Sequence, residues 1–260
     1  MPTDRVGAIG AGGASPGIVI SADRIAAAVD RELQELGTPE RAEKERSYLK
    51  SSLRFHGATL PQIHGVATAT WREHGGLDHE TMIRTADLLW VTGAFECRMA
   101  AEDLLDMGSA MLTTADVPFL ERLLRDSGTW ALVDGLAAGP VGELDRRPPG
   151  IGPTIERWAS DDDFWIRRSA LLAHLGSLRR GEGDLARFLR LADGMLDETE
   201  FFIRKAIGWV LRETARKRPA EVVAWLEPRV DRVSGVTIRE AVKHLPVADR
   251  DRLMTEYRAR

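Results

Sequence analysis

Beyond residue 20, apolar positions recur every three or four residues, with polar ones filling the gaps. That spacing puts one apolar stripe on each of a series of helices. It predicts helices over 21–36, from residue 39, and near 60–74, 79–91, 94–107, 116–126, 129–144, 153–160, 164–179, 184–195, 199–217, 219–230, 235–244 and 247–258. Ser21 stands where a cap belongs, and Thr38-Pro39-Glu40 reads as a cap followed by Pro at the first helical position. No stretch alternates as a strand would. The joints are short, apart from a loose connector, "DRRPPGIGP", at 145–153.

The helices repeat. Trp165-Ile166-Arg167-Arg168-Ser169-Ala170 is echoed by Phe202-Ile203-Arg204-Lys205-Ala206-Ile207 and again by Thr237-Ile238-Arg239-Glu240-Ala241. Phe95-Glu96-Cys97-Arg98-Met99-Ala100 is an earlier echo about two periods upstream. A period in the upper thirties built from helix pairs predicts an all-α solenoid of HEAT-like repeats spanning 21–260, with a concave surface for an extended partner. Ile166, Ile203 and Ile238 then fill the core between repeats. Arg167 or Arg168, Arg204 or Lys205, and Arg239 fall along one strip, at a spacing that can follow a phosphate backbone or pair with nearby acids.

Residues 1–20 are rich in Gly and Ala without a period, and are expected to form a tail. Their "GAIGAGGASPG" has Ser15 where a dinucleotide loop needs its third glycine, and no strand precedes it. The formal net charge is −4, which argues against nucleic acid, yet residues 201–260 hold 14 Lys and Arg against 8 Asp and Glu. An acidic chain with a basic end can still present a positive surface. The single cysteine, Cys97, excludes an internal disulfide and reads as core. No apolar run is long enough to span a bilayer, and nothing resembles a signal peptide, so a cytoplasmic location is expected.

Within "DSGTWALVDGLA", Asp126 or Ser127 is placed to cap a helix on which Trp130 and Asp134 share a face. A carboxylate on that face either pairs with an arginine of the next repeat or serves a site, because buried carboxylates are costly alone. The histidines show no metal-ligand spacing. The nearest approach is "HGGLDHE", with His74 and His79 around a Gly-Gly loop, and no metal is expected. Trp71, Trp90, Trp158, Trp165 and Trp225 read as packing.

"DDDFWIRRSALL" and "EFFIRKAIGWVLRE", with "WALVD" upstream, resemble the AlkD-type DNA alkylation repair glycosylases; "YLKSSLRFHG" (48–57) and "IREAVKHL" (238–245) fit the same pattern. The resemblance runs over roughly 21–260. It implies a monomeric, cofactor-free glycosylase that removes cationic N3- or N7-alkylated purines from double-stranded DNA. Asp134 would be the catalytic carboxylate, Trp130 and Trp209 would flank the deoxyribose, and Arg168 would hold backbone phosphate. Tyr48 would lie near the DNA backbone. The lesion would stay stacked, not be extruded. Some relatives act on bulky natural-product adducts, and the sequence does not separate those from methylpurines. Two other readings stand beside this one: a module that binds DNA of unusual shape without cutting it, and a HEAT scaffold for proteins. The carboxylate at 134 favours the enzyme, since a pure DNA binder gains nothing from it.

Overall fold

The computed structural model describes residues 21–260, so the tail expected over 1–20 lies outside the described residues. Helices follow one another throughout. They are α1 (Ala22–Leu36), α2 (Pro39–Leu49), α3 (Leu60–Glu73), α4 (His79–Val91), α5 (Phe95–Met107) and α6 (Val117–Asp126). Then come α7 (Trp130–Leu136), α8 (Gly142–Arg146), α9 (Gly152–Trp158), α10 (Phe164–Leu172) and α11 (Leu175–Arg180). The chain ends with α12 (Leu185–Gly194), α13 (Phe201–Ala215), α14 (Pro219–Leu226), α15 (Gly235–Ala241) and α16 (Val247–Arg258). Among the described residues the extended pairing is confined to an isolated bridge between Arg54 and Ala94. No described helix is long and apolar enough to cross a membrane.

Local chemistry sets most helix starts. The Thr38 hydroxyl accepts from Arg41 N at 3.3 Å, with Pro39 opening α2. Thr59 and Gln62 form a reciprocal capping box at α3. Ser21 does precede α1, but its side chain makes no capping bond. Neither Asp126 nor Ser127 caps α7. The Asp126 carboxylate is taken by Trp90 and Arg98, and the Ser127 hydroxyl donates to the Leu123 carbonyl. Two expected helices are broken. The one expected over 129–144 stops at Leu136, because Pro140 lacks an N–H and Gly139 leaves helical geometry (φ −85, ψ −105), so the chain passes through a π turn before α8. The one expected over 164–179 divides between Leu172 and Leu175.

A helix pair cannot bury its apolar face alone, and here stacking supplies the missing cover. Ile166, Ile203 and Ile238 are fully buried, as are Trp90, Trp158 and Cys97, while Trp225 is nearly so. Polar rungs join each repeat to the next at the same sequence separation. Trp90 Nε1 donates to Asp126 at 3.0 Å, and Trp158 Nε1 donates to Glu121 at 2.8 Å, across 36 and 37 residues. Arg122 reaches Asp87, Arg125 reaches Asp161, Arg190 reaches Glu156, Arg229 reaches Asp193 and Arg232 reaches Asp197, each 34 to 36 residues away. The period seen in the Ile-Arg steps is thus also the period of the cross-links. Thr237, which replaces the aromatic of earlier repeats, is buried and donates its hydroxyl to the Arg204 carbonyl at 3.1 Å.

Gly208 shows how closely the last repeats approach. A Cβ there would lie 2.7 Å from the Thr237 carbonyl oxygen and from Glu240 Cβ. Only glycine lets α15 settle this closely on α13, and the next residue, Trp209, lies about 100° further round the helix.

Glu121 gathers three donors: Arg157 and the Trp158 indole from the next repeat, and Arg125 of its own helix. The Arg157 guanidinium, helped by Arg125 and Trp158, holds its carboxyl down at about 2. A depressed folded pKa stabilises the fold above the unfolded value near 4.3, and that contribution is lost as pH falls towards 2. Glu121→Gln should therefore cost about 1–2 kcal/mol at pH 7. In thermal melts, the gap to wild type should narrow between pH 4.5 and 2. A gap that stays constant over that range would show that the charge of Glu121 contributes nothing.

Candidate functional site

One face of α13 carries Phe201, Lys205, Trp209 and Arg212, spaced by four, four and three residues, with Phe202 beside them. All five line a cleft of about 760 Å³. Its opposite walls come from Tyr48 at the end of α2, from Lys50 just beyond, and from Thr129, Trp130 and Asp134 around the start of α7. Trp165 and Arg168 of α10 complete it. The structure therefore brings Tyr48, Trp130, Asp134, Arg168, Lys205 and Trp209 together, although they are spread over more than 160 residues. Arg167, Arg204 and Arg239 do not line this cleft.

Its walls are aromatic. Tyr48 is 68% exposed and meets Trp130 edge-on, with ring centroids 6.1 Å apart. Trp165 packs on Phe202 at 4.9 Å, and Phe201 is exposed at the rim. Trp130, Trp165 and Trp209 are each half-buried, packed on the core from behind and facing the cleft in front. Trp165 thus corrects the expectation of plain packing. Trp158, its neighbour in sequence, is fully buried as expected.

Asp134 sits on the cleft floor. The Arg168 Nε lies 2.7 Å from its Oδ1 and the Nη2 lies 2.8 Å from its Oδ2, a two-pronged pair. The Arg168 Nη1 donates to the Phe202 carbonyl, so this arginine ties α10 to both α7 and α13. Only 3% of the Arg168 side chain is exposed, against 13% for Asp134. Both side chains line the cleft, and the carboxylate is the more exposed of the two. Burial raises the Asp134 pKa, and Arg168 opposes that rise. Next to it, Gly135 allows a close approach: a Cβ there would fall 1.4 Å from Glu102 Oε1 of α5. Glu102 is buried, and burial, with Asp103, Asp106 and Asp134 nearby, pushes its carboxyl well above the usual range.

The expected cation strip is largely engaged within the protein. Arg168 is committed to Asp134, Arg167 to Glu198 (2.7 Å), and Lys205 to Glu240 (2.6 Å). Arg212, at the cleft's far end, also pairs with Glu240. Arg204 gives its Nε to the Glu198 carbonyl but has no carboxylate partner among the described residues, and Arg239 is exposed without one. Lys50 on the cleft rim and Arg258, which shares a basic groove with Arg239, Lys243 and Arg250, are likewise exposed without one. Lys50, Phe201, Phe202 and Arg212 escaped the sequence reading. The α13 spacing from Phe201 to Arg212 was a signal for three of them. Lys50 gave none, since only its left-handed backbone (φ 50) after α2 turns it to the rim. "HGGLDHE" gathers no metal donors: His74 Nδ1 lies 2.8 Å from the Thr70 carbonyl and His79 pairs with Asp116.

Helical repeats stacked around an aromatic cleft, with a carboxylate paired to an arginine, define a helical-repeat solenoid. Residues 29–245 match the family model described as DNA alkylation repair enzyme, and the chain belongs to that family. Among solved structures it is similar to a predicted DNA alkylation repair enzyme from Enterococcus faecalis, at 23% identity and a TM-score of 0.72, over 81% of this chain and 97% of that one. AlkD2 from Streptococcus mutans shares 15% identity at a TM-score of 0.61, over 87% of this chain and all of that one. The smu.31 protein of Streptococcus mutans UA159 shares 17% at 0.57, over 85% and 100%. No curated protein matches the chain. At these identities the likeness to solved structures shows the fold: a helical-repeat solenoid.

Removing one member of a buried pair strands the other. Arg168→Ala should destabilise the protein by about 3–5 kcal/mol. Arg168→Lys should recover only part of that, because an ammonium cannot span both carboxylate oxygens and the Phe202 carbonyl at once. Urea unfolding of both variants checks this, and full recovery by Lys would rule out the forked geometry as the source of stability.

Proposed function

We propose that the chain is a DNA glycosylase that hydrolyses the N-glycosidic bond of cationic N3- or N7-alkylated purines in duplex DNA, as a monomer and with Asp134 as its catalytic carboxylate. The observation that carries this reading is the Asp134–Arg168 pair in the lining of an aromatic cleft, with the carboxylate the more exposed of the two. Alkylation at N3 or N7 makes the purine a cationic leaving group, and its departure leaves positive charge on the deoxyribose, as in other glycoside hydrolysis. A fixed carboxylate stabilises that charge and can orient the attacking water. The faces of Trp130 and Trp209 add cation–π attraction of about 0.5–2 kcal/mol each.

Arg168 acts by holding Asp134. Without it, the same burial would favour the protonated acid, which has no charge to offer. Phosphate contact falls to Lys50 on the cleft rim and to Arg204, Arg239 and Arg258, which are among the cations without a carboxylate partner, with Tyr48 at the rim and with Arg167 and Lys205 lending positive field from within their pairs. The cleft is open and aromatic, which supports a lesion gripped through its sugar and backbone while it remains in the stack.

Asp134→Asn is the decisive variant. It removes the charge while keeping the shape, so duplex binding should be unchanged or slightly tighter, and single-turnover release of free alkylpurine should fall by roughly 10–10³-fold. Because burial raises the Asp134 pKa, the wild-type rate should also drop as pH falls through a midpoint above the ordinary aspartate value, and the variant should lose that limb. Undiminished release by Asp134→Asn would make the pair purely structural. A binding module would show binding with no release by the wild type, and a protein scaffold would show neither.

Duplex binding should also report the number of phosphate contacts made. Four phosphate contacts predict a log–log salt slope of roughly −3 to −4. A slope near zero would remove DNA from the cleft altogether.

A further inference from the structure

On the side of the first repeat formed by α1, α5 and the α2–α3 connection, three side chains from separate segments converge. Cys97 Sγ of α5 lies 3.0 Å from Asp30 Oδ1 of α1, and His56 Nε2 of the connecting loop lies 2.9 Å from the same oxygen. Sulfur and imidazole nitrogen are 3.7 Å apart. All three donor atoms fall within 4.8 Å of one another. We propose that Asp30, His56 and Cys97 form a site for a divalent zinc-class cation that fastens the first repeat.

The distances fit such an ion. Zinc bonds of about 2.0 Å to nitrogen and oxygen and about 2.3 Å to sulfur, at tetrahedral angles, set the donors about 3.3–3.6 Å apart, within about half an ångström of those found. Thiolate, imidazole and carboxylate are also the donor types that zinc takes. One divalent ion cancels the thiolate and carboxylate charges, leaving a neutral cluster in a buried place. Cys97 is fully buried and His56 nearly so, but a quarter of the Asp30 side chain is exposed, which leaves an approach for the ion and for a water as fourth ligand.

The loop is also held ready. The Glu96 carboxylate accepts from the backbone N–H of His56 at 2.9 Å and of Gly57 at 2.6 Å. The residue before Cys97 thereby fixes the backbone that carries His56. In the repeat alignment Cys97 occupies the position that Arg167, Arg204 and Arg239 hold later, so a soft ligand stands here where those three repeats put a cation. Without metal, burial and the neighbouring Asp30 push the Cys97 thiol far up, so it remains protonated and is a poor nucleophile. Metal binding needs the Cys97 thiolate, so the thiol proton leaves as the ion enters. The clamped loop continues directly from Tyr48 and Lys50, which places the cleft rim one short segment from the metal.

The test uses the full chain, stripped with a chelator and titrated with Co²⁺ and then Zn²⁺. One Co²⁺ per chain should bind and give a thiolate-to-cobalt charge-transfer band in the near ultraviolet, which stoichiometric Zn²⁺ abolishes. Zinc at about 100 times its dissociation constant should raise the Tm by roughly 5–10 °C. Cys97→Ser should lose the band and most of the thermal shift. His56→Gln should weaken affinity at least tenfold while keeping a thiolate band at high cobalt, so the site stays testable should the serine variant fold poorly. Absence of a thiolate band in folded wild-type protein overturns the proposal, as does equal zinc affinity in wild type and His56→Gln.

Discussion

The Asp134–Arg168 pair is the contact on which the cleft depends. A carboxylate facing an aromatic cleft would protonate or turn to solvent without a permanent counter-charge, and a guanidinium buried to this depth needs acceptors for its donors. The two solve each other's problem. The Phe202 carbonyl takes a further donor, so a single side chain sets the relative placement of α7, α10 and α13. Trp130, Trp165 and Trp209 ride on those three helices, and their shared cleft follows from that placement.

This pair is one rung in a ladder. Arg98 does in its repeat what Arg168 does later: it is buried, donates to the Trp90 carbonyl and pairs with Asp126. Arginines that begin as a periodic pattern in the sequence therefore serve mainly as mortar between repeats. The arrangement explains how so many charged residues coexist with a compact α-solenoid. Most positive charge is thereby paired within the stack, and the cations without a carboxylate partner include Lys50 on the cleft rim and Arg239 and Arg258 in the C-terminal groove.

Much of the fold was legible in the sequence. The helical period, the repeat length near 36 and the buried Ile column are local or translational properties, and neighbouring repeats enforce them. Helix breaks were less legible. Pro140 stood in plain sight, but whether a proline ends a helix or is absorbed in a π turn depends on what packs around it. The site was half legible. Trp130 and Asp134 share a helix face by spacing alone, and Trp209 lies on a stripe with Phe201, Lys205 and Arg212. The functional reading of these residues came from the resemblance to a repair family, which the match over residues 29–245 supports.

The sequence by itself determined what is set by periodicity: helices, their repetition, and which residues could share a face. Tertiary structure alone decided which of two adjacent arginines pairs with Asp134, that Trp165 faces the cleft while Trp158 is buried, and that Asp30, His56 and Cys97 meet. The physical reason is that a helix face spans more than 100°, so spacing leaves neighbouring side chains undistinguished. Stacking fixes the rotation of each helix, and only then does a side chain acquire a partner, a burial and a charge environment. Residues 26 to 67 positions apart, such as those three donors, carry no mutual signal along the chain until the repeats close on one another.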